Sequence, residues 1–285
     1  MLIDAHTHIF APDTAPRRDE LCARDSTFRE LYGDPKAKLA VAPELIAALD
    51  RNHTDYAVAL GFAWADPALC RWHNDALLAA SQKDPRIIPF CTVNPAAEPD
   101  ELRREVERCA AAGARGLGEL RPESLGTNLD GAAGDLLARL AEEHGLVLLF
   151  HASEPVGHAY PGKAGGSLGP LYRFIAAHPR VRVICAHWGG GLPFYTLMPE
   201  VREALRNTWF DTAATTLLYD PGVYRRVIDL IGAERILFGS DFPLLGPLRQ
   251  ARAVRAASLD GTEQALILGD NAATLLGLAR GNARS

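Results

Sequence analysis

Lysine is scarce in this chain, with only Lys36, Lys38, Lys83 and Lys163 among 285 residues. No window gathers enough basic charge to follow a phosphate backbone, and the formal net charge is −5, so nucleic acid is not an expected partner. Cysteine is also sparse: Cys22, Cys70, Cys91, Cys109 and Cys185 are scattered, odd in number and without a CxxC pair. That pattern excludes a disulfide framework and a thiolate zinc knuckle, and reads as reduced thiols in a cytoplasmic protein. Long hydrophobic runs are missing as well, and none approaches the roughly 20 residues of a membrane helix. The opening Met1-Leu2-Ile3-Asp4-Ala5-His6 shows neither the basic nor the long apolar stretch of an export signal, so neither membrane nor secretion is expected.

What is present is a globular balance, 48% hydrophobic and 23% charged. Short apolar runs recur at 2–5, 56–60, 87–93, 115–120, 146–150, 181–186, 209–212 and 236–239. Several are nearly continuous in Val, Ile, Leu and Phe, as strands buried on both faces must be. Between them lie amphipathic stretches at 43–52, 68–83, 99–112, 134–144, 170–178, 193–206 and 221–231, many opening near proline, which suits a first helical turn. Eight alternations of strand and helix predict an α/β chain folded as a single-domain (β/α)8 TIM barrel over residues 1–285. A doubly wound open sheet is the alternative, but the first strand is not followed by the GxGxxG turn of such folds. Two long connections, 10–42 and 152–169, follow strands and so are expected to overhang the catalytic face.

The nine histidines separate by position. His53, His144 and His178 stand at the ends of helical stretches, where a histidine meets the helix C-terminus. His73 lies within a helical stretch and reads as structural or surface. His6, His8, His151 and His187 each fall at the C-terminal end of an expected strand, the catalytic end in a barrel. His6 and His8 are two residues apart, so a strand directs both imidazoles the same way. Asp241, in Gly239-Ser240-Asp241-Phe242-Pro243, ends the eighth strand next to the first and so near His6 and His8, which favours a functional role over that of a turn-forming aspartate. Glu119 ends the fourth strand among small residues, and is read as a metal ligand or as a carboxylate supporting one.

This pattern resembles the amidohydrolase superfamily, and within it the amidohydrolase-2 branch of predicted metal-dependent hydrolases and ring-cleavage decarboxylases. The resemblance rests on Ile3-Asp4-Ala5-His6-Thr7-His8, on His151, on Ala186-His187-Trp188-Gly189-Gly190, on Phe238-Gly239-Ser240-Asp241-Phe242-Pro243, and on the closing Gly269-Asp270-Asn271-Ala272-Ala273-Thr274-Leu275-Leu276-Gly277-Leu278. It implies that His6, His8, His151 and Asp241 bind a divalent metal, most often zinc, and that His187 holds a second ion or exchanges protons. Many two-metal members bridge their ions with a carboxylated lysine after the fourth strand. No lysine stands there, which leaves Glu119 in that place.

The expected chemistry follows from a bound metal, which lowers the pKa of its water to roughly 7. Asp241 beside that water is placed to take its proton. The leading expectation is therefore a metal-dependent hydrolase of a small amide, ester or lactone. A metal-dependent, non-oxidative decarboxylase of the same branch is the alternative, and a non-catalytic metal-binding barrel is the third. An inward Glu119 favours hydrolysis through paired metals, whereas a Glu119 turned away to Arg121 or Arg115 favours the decarboxylase. For the small-molecule substrate, Arg121 is read as a carboxylate clamp or a structural salt bridge, and Trp64 and Trp188 as aromatic walls. His158 is read as a loop residue that reaches the site or lies in solvent. A homodimer is left open.

Overall fold

The structure is a computed structural model describing residues 1–127, 129–163 and 167–278. Its eight strands are β1 (Ile3–His8), β2 (Tyr56–Leu60), β3 (Ile87–Cys91), β4 (Gly116–Leu120), β5 (Val147–Phe150), β6 (Val183–Cys185), β7 (Thr208–Asp211) and β8 (Ile236–Leu237). They pair in parallel in the order of the sequence. The ring closes between its ends, where Ala5 N–H donates to the carbonyl of Phe238 at 2.7 Å and His8 N–H to that of Phe242 at 2.7 Å. This is the (β/α)8 barrel, and the open-sheet alternative falls. The continuous apolar runs arise because both faces of each strand are covered. Val58, Leu60, Ile88, Phe90, Val147, Leu149 and Ile184 share the inner cluster, while Ala57, Ala59 and Ile87 pack outward against Leu45, Leu49 and Leu77.

The expected helices are present with one exception. The stretch at 193–206 is split into a 3₁₀ turn, Leu192–Leu197, and a short helix, Pro199–Ala204. Pro199 has no N–H to continue a helix and forces the residue before it out of helical geometry; Met198 accordingly has ψ 120°. No helix among the described residues is long and apolar enough to cross a membrane.

The two overhanging connections differ from their expected form. Segment 10–42 carries two short helices, α1 (Arg18–Arg24) and α2 (Ser26–Tyr32). Asp25 makes the junction: its N–H donates to Leu21, its carboxylate caps α2 by accepting from Phe28 N–H at 2.8 Å, and its second oxygen accepts from Ala65 N–H at 3.0 Å. Leu21 and Phe28 then bury against Phe10, Phe62 and Trp64, so the insertion forms an apolar pad beside the barrel mouth. In segment 152–169 the chain bends back over the mouth with Tyr160, Pro161 and Gly162 on the cavity wall. Residues 164–166 of that connection lie outside the described residues.

Candidate metal centre

The site begins at the seam between the last and first strands. The Asp4 carboxylate, fully buried, accepts from Ser240 N–H at 2.9 Å and from His6 N–H at 3.3 Å. Burial pushes its pKa up to about 7, against the hydrogen bonds that favour its charge. Asp241 N–H donates to the carbonyl of His6 at 2.9 Å, with Asp241 held at φ 65°, a left-handed conformation that aspartate tolerates better than most residues. Strand eight therefore delivers Asp241 beside the imidazoles of strand one.

His6 donates from Nδ1 to the Asp211 carboxylate at 2.8 Å, and both side chains are fully buried. Its Nε2 then faces the cavity, 3.1 Å from Nε2 of His8 and 3.7 Å from Oδ1 of Asp241; His8 Nε2 lies 3.6 Å from the same oxygen. On the other side stands Glu119. Its Oε1 is 3.0 Å from His151 Nδ1 and 3.6 Å from His187 Nε2, and its Oε2 is 3.7 Å from His8 Nε2. Glu119 thus points into the site, turned away from neither wall.

His187 is aimed by an unusual backbone. From His187 to Gly191 five consecutive residues have positive φ, at 55°, 58°, 60°, 58° and 91°, which makes one left-handed turn. Such a conformation costs roughly 1–2 kcal/mol for each of the non-glycine residues His187 and Trp188. At Gly190 a Cβ would meet the Ser153 carbonyl oxygen at 2.6 Å, so glycine is required there for space as well as for φ. The His187 ring donates from Nδ1 to the carbonyl of Ala213 at 3.2 Å, leaving Nε2 toward Glu119.

Charge is strongly redistributed in this buried space. Burial opposes charge on His6, but Asp211, Glu119 and Asp241 outweigh it and raise its pKa to about 10. Burial likewise opposes charge on His187, and Glu119 and Asp241 raise it to about 9. His8 and His151 are pushed down by burial, with neighbouring cations adding to the effect. Burial disfavours the Glu119 anion, yet the facing imidazoles His151, His187 and His6 hold it well below the usual carboxylate range.

The donor chemistry fits a divalent cation. With Nδ1 of His6 committed to Asp211, its Nε2 faces Nε2 of His8 at 3.1 Å, and carboxylate oxygens of Asp241 and Glu119 stand 3.6–3.7 Å from these nitrogens. His151 Nδ1 stands 3.0 Å from Glu119 Oε1, while its Nε2 lies 2.8 Å from Ser153 Oγ and 3.0 Å from the Gly162 carbonyl. Ligand atoms of His6, His8 and Glu119, and those of Glu119, His151 and His187, each lie within 4.8 Å of one another. Such sets of nitrogen and oxygen donors are satisfied by a cation, with Asp211 supporting His6 from behind.

Around this cluster opens a cavity of about 640 Å³. Arg121 and His158 line it, with His8, Glu119, His151, His187 and Asp241 at its base. Arg121 is buried and donates from Nη2 to the Gly162 carbonyl at 2.9 Å, which ties the overhanging loop to β4. Trp64 and Trp188 do not line the cavity. Trp64 is sealed in the pad beneath α1 and α2, where its indole N–H donates to His73 Nδ1 at 3.0 Å; Trp188 turns outward and donates to Thr215 Oγ1 at 2.9 Å. The walls are formed instead by Tyr32, Phe62, Leu217, Leu218 and Leu244. Sequence reasoning missed these, and it missed Asp211; the signal available for Asp211 was its position at the end of an apolar strand, like the residues that were noticed.

The chain belongs to the amidohydrolase family, amidohydrolase-2 branch, whose pattern it matches over residues 3–278. Solved structures of the same architecture include 5-carboxyvanillate decarboxylase from Novosphingobium aromaticivorans, with manganese and 4-hydroxy-3-methoxy-5-nitrobenzoic acid, at 19% identity and a TM-score of 0.81 over 98% of this chain and 96% of that one. A dihydroxybenzoic acid decarboxylase from a Polaromonas species, with manganese and 2-nitroresorcinol, matches at 19% identity and a TM-score of 0.77 over 98% of each chain. The 2,6-dihydroxybenzoate decarboxylase from Rhizobium matches at 20% identity and a TM-score of 0.75 over 97% of this chain and 98% of that one. These neighbours overturn the expectation of a hydrolase, because they are decarboxylases. The physical reason the expectation failed is that an inward Glu119 does not by itself specify attack by water. Here it faces His151 and His187, and serves equally well to hold imidazoles. The metal in the first two of these structures is manganese, and zinc has no support beyond the resemblance.

Proposed function

We propose that this protein is a metal-dependent, non-oxidative decarboxylase of a small hydroxylated aromatic carboxylate. The observation that carries the reading is the placement of His187. One ring nitrogen is committed to the Ala213 carbonyl, and the other faces the cavity beside Glu119 with a raised pKa of about 9. A buried imidazole held at one nitrogen and turned to the cavity at the other can deliver a proton there. The neighbours named above act on hydroxylated benzoates, and that substrate class suits the cavity.

Tyr32, Phe62, Leu217, Leu218 and Leu244 give the cavity apolar surface against which a flat ring would pack. Arg121, already fixed by Gly162, presents a guanidinium to a substrate anion at the inner wall. A divalent cation held by His6, His8, His151 and Asp241 would supply Lewis-acid polarisation of substrate oxygens. In the reaction the bond between ring carbon and carboxylate breaks, its electron pair stays on the ring carbon, and that carbon takes the proton of His187. Carbon dioxide leaves, and solvent returns the proton to His187; nothing is oxidised or reduced overall. Glu119 and Asp241 stabilise the imidazolium before transfer, and the apolar walls keep bulk water from the ring.

The test is to incubate manganese-loaded protein with 2,6-dihydroxybenzoate and related hydroxybenzoates in deuterated water. Carbon dioxide should appear in equal amount to a phenol carrying deuterium at the vacated carbon. Recovery of every hydroxybenzoate intact, with turnover of esters or lactones instead, would remove the proposal.

A further inference from the structure

One carboxylate stands behind two of the site's imidazoles. Asp211 ends β7, is fully buried, and uses both of its oxygens. Oδ2 accepts from Nδ1 of His6 at 2.8 Å. Oδ1 accepts from the backbone N–H of His187 at 2.9 Å and from that of Ala213 at 3.0 Å. Ala213, so fixed, offers its carbonyl to Nδ1 of His187 at 3.2 Å. The same turn carries Thr215, whose hydroxyl accepts from the indole of Trp188 at 2.9 Å and donates to Thr212 at 2.5 Å.

We infer that Asp211 is the positioning residue of the site: through one carboxylate it orients Nε2 of both His6 and His187 toward the cavity and holds the left-handed turn that presents His187. A histidine ring exposes a chosen nitrogen only if the other is held, and here the holder of His6 is Oδ2 while the holder of His187 is the peptide that Oδ1 pins. The turn from His187 to Gly191, left-handed at every residue, does not persist unaided in L-residues and needs an outside partner. The Asp211 contact reaches its first peptide N–H, and the Thr215 contact its second side chain. Strands one and six, which are not neighbours in the barrel, are thereby set by a residue of strand seven.

Asparagine at this position separates a positioning role from a merely structural one. Its amide keeps the shape, but a single oxygen cannot accept from His6 and from two backbone N–H groups on the opposite side. The inference rests on the cation reading of the cluster only where affinity is measured, so two readouts are used. Manganese titration by calorimetry should show affinity about 10–100-fold weaker in Asp211→Asn than in wild type. Histidine side-chain ¹H–¹⁵N spectra of metal-free protein should show protected Nδ1–H signals from His6 and His187, assigned by their loss in His6→Gln and His187→Gln. In Asp211→Asn the His6 signal should vanish and the His187 signal should shift. Affinity within twofold of wild type together with unchanged signals would overturn the inference. Should Asp211→Asn fail to fold, wild type alone decides, because absence of either protected proton contradicts the geometry. If wild type binds no manganese but both protons are seen and depend on Asp211, the cation reading fails and the positioning role stands.

Discussion

Two regions of this molecule bury a histidine almost completely, and they use it in opposite ways. In the strand-end cluster His6 is 0% exposed and in the aromatic pad beneath α1 and α2 His73 is 1% exposed. His6 sets Nδ1 against the Asp211 carboxylate, and its pKa rises to about 10 in spite of burial. His73 stacks on Phe10, with ring centroids 5.3 Å apart, and meets no carboxylate. Its Nδ1 accepts from the Trp64 indole at 3.0 Å and from Phe62 N–H at 3.3 Å, so its proton is on Nε2, which donates to the Ile9 carbonyl at 2.7 Å. Burial then holds it neutral, with a pKa of about 4. The comparison shows that burial alone does not make a histidine functional. What decides is whether one nitrogen is left to the site: His6 and His187 each have Nδ1 held and Nε2 turned toward the cluster, whereas both nitrogens of His73 are taken by the Trp64 indole and backbone groups, which makes its ring a rivet.

The comparison is broken most severely at the cluster. His187→Gln should lower turnover by about 10²–10⁴-fold with little change in melting temperature, because the proton donor is lost while the barrel core is untouched. Steady-state kinetics on the decarboxylated substrate measure it. The reverse signature is expected at the pad. His73→Phe leaves the Ile9 carbonyl, the Phe62 N–H and the Trp64 indole without their partner, and buried polar groups so stranded cost about 1–3 kcal/mol each. Denaturant melts should show a loss of about 3 kcal/mol or more, while manganese affinity stays as in wild type.

A smaller effect sharpens the same contrast through pH. His73 titrates near 6.5 when unfolded and near 4 when folded, so below 6.5 the unfolded chain binds a proton that the native one refuses. Stability from this group is therefore intact above pH 6.5, falls as pH drops through the window, and levels off below about 4. At pH 5 the loss is about 2 kcal/mol, and His73→Phe should flatten that part of the stability profile relative to wild type. The least change is expected at Trp188→Phe, which removes the hydrogen bond to Thr215 and costs about 0.5–1.5 kcal/mol in the same melts.

The barrel was legible in the sequence because strands covered on both faces are apolar throughout and helices between them are not. The strand-end residues His6, His8, Glu119, His151, His187 and Asp241 were visible for the same reason, since each polar residue stands where an apolar run stops, and the structure gathers them into one cluster, with all but the fully buried His6 lining the cavity. Asp211 also ends an apolar run, but its role was not legible, because its partners His6 and His187 lie on strand one and after strand six and no sequence spacing reveals those contacts. Trp64 and Trp188 were misjudged because a tryptophan near a strand end is equally able to face the mouth or the surrounding helices, and that choice is made by packing. Segment 10–42 was read as a loop because α1 and α2 are each 7 residues long, too short for helical periodicity to stand out. The reaction was beyond reach, since an inward carboxylate at strand four serves water activation or imidazole positioning alike.

On the proposed reading the strand-end cluster holds a divalent cation, whereas the equally buried histidine of the pad holds none. Elemental analysis of manganese-saturated, extensively dialysed protein tests it directly. Wild type and His73→Phe should retain a divalent cation in the same amount, and His6→Ala should lose it while remaining folded by circular dichroism. Metal-free wild-type protein, or undiminished metal in His6→Ala, would contradict the account.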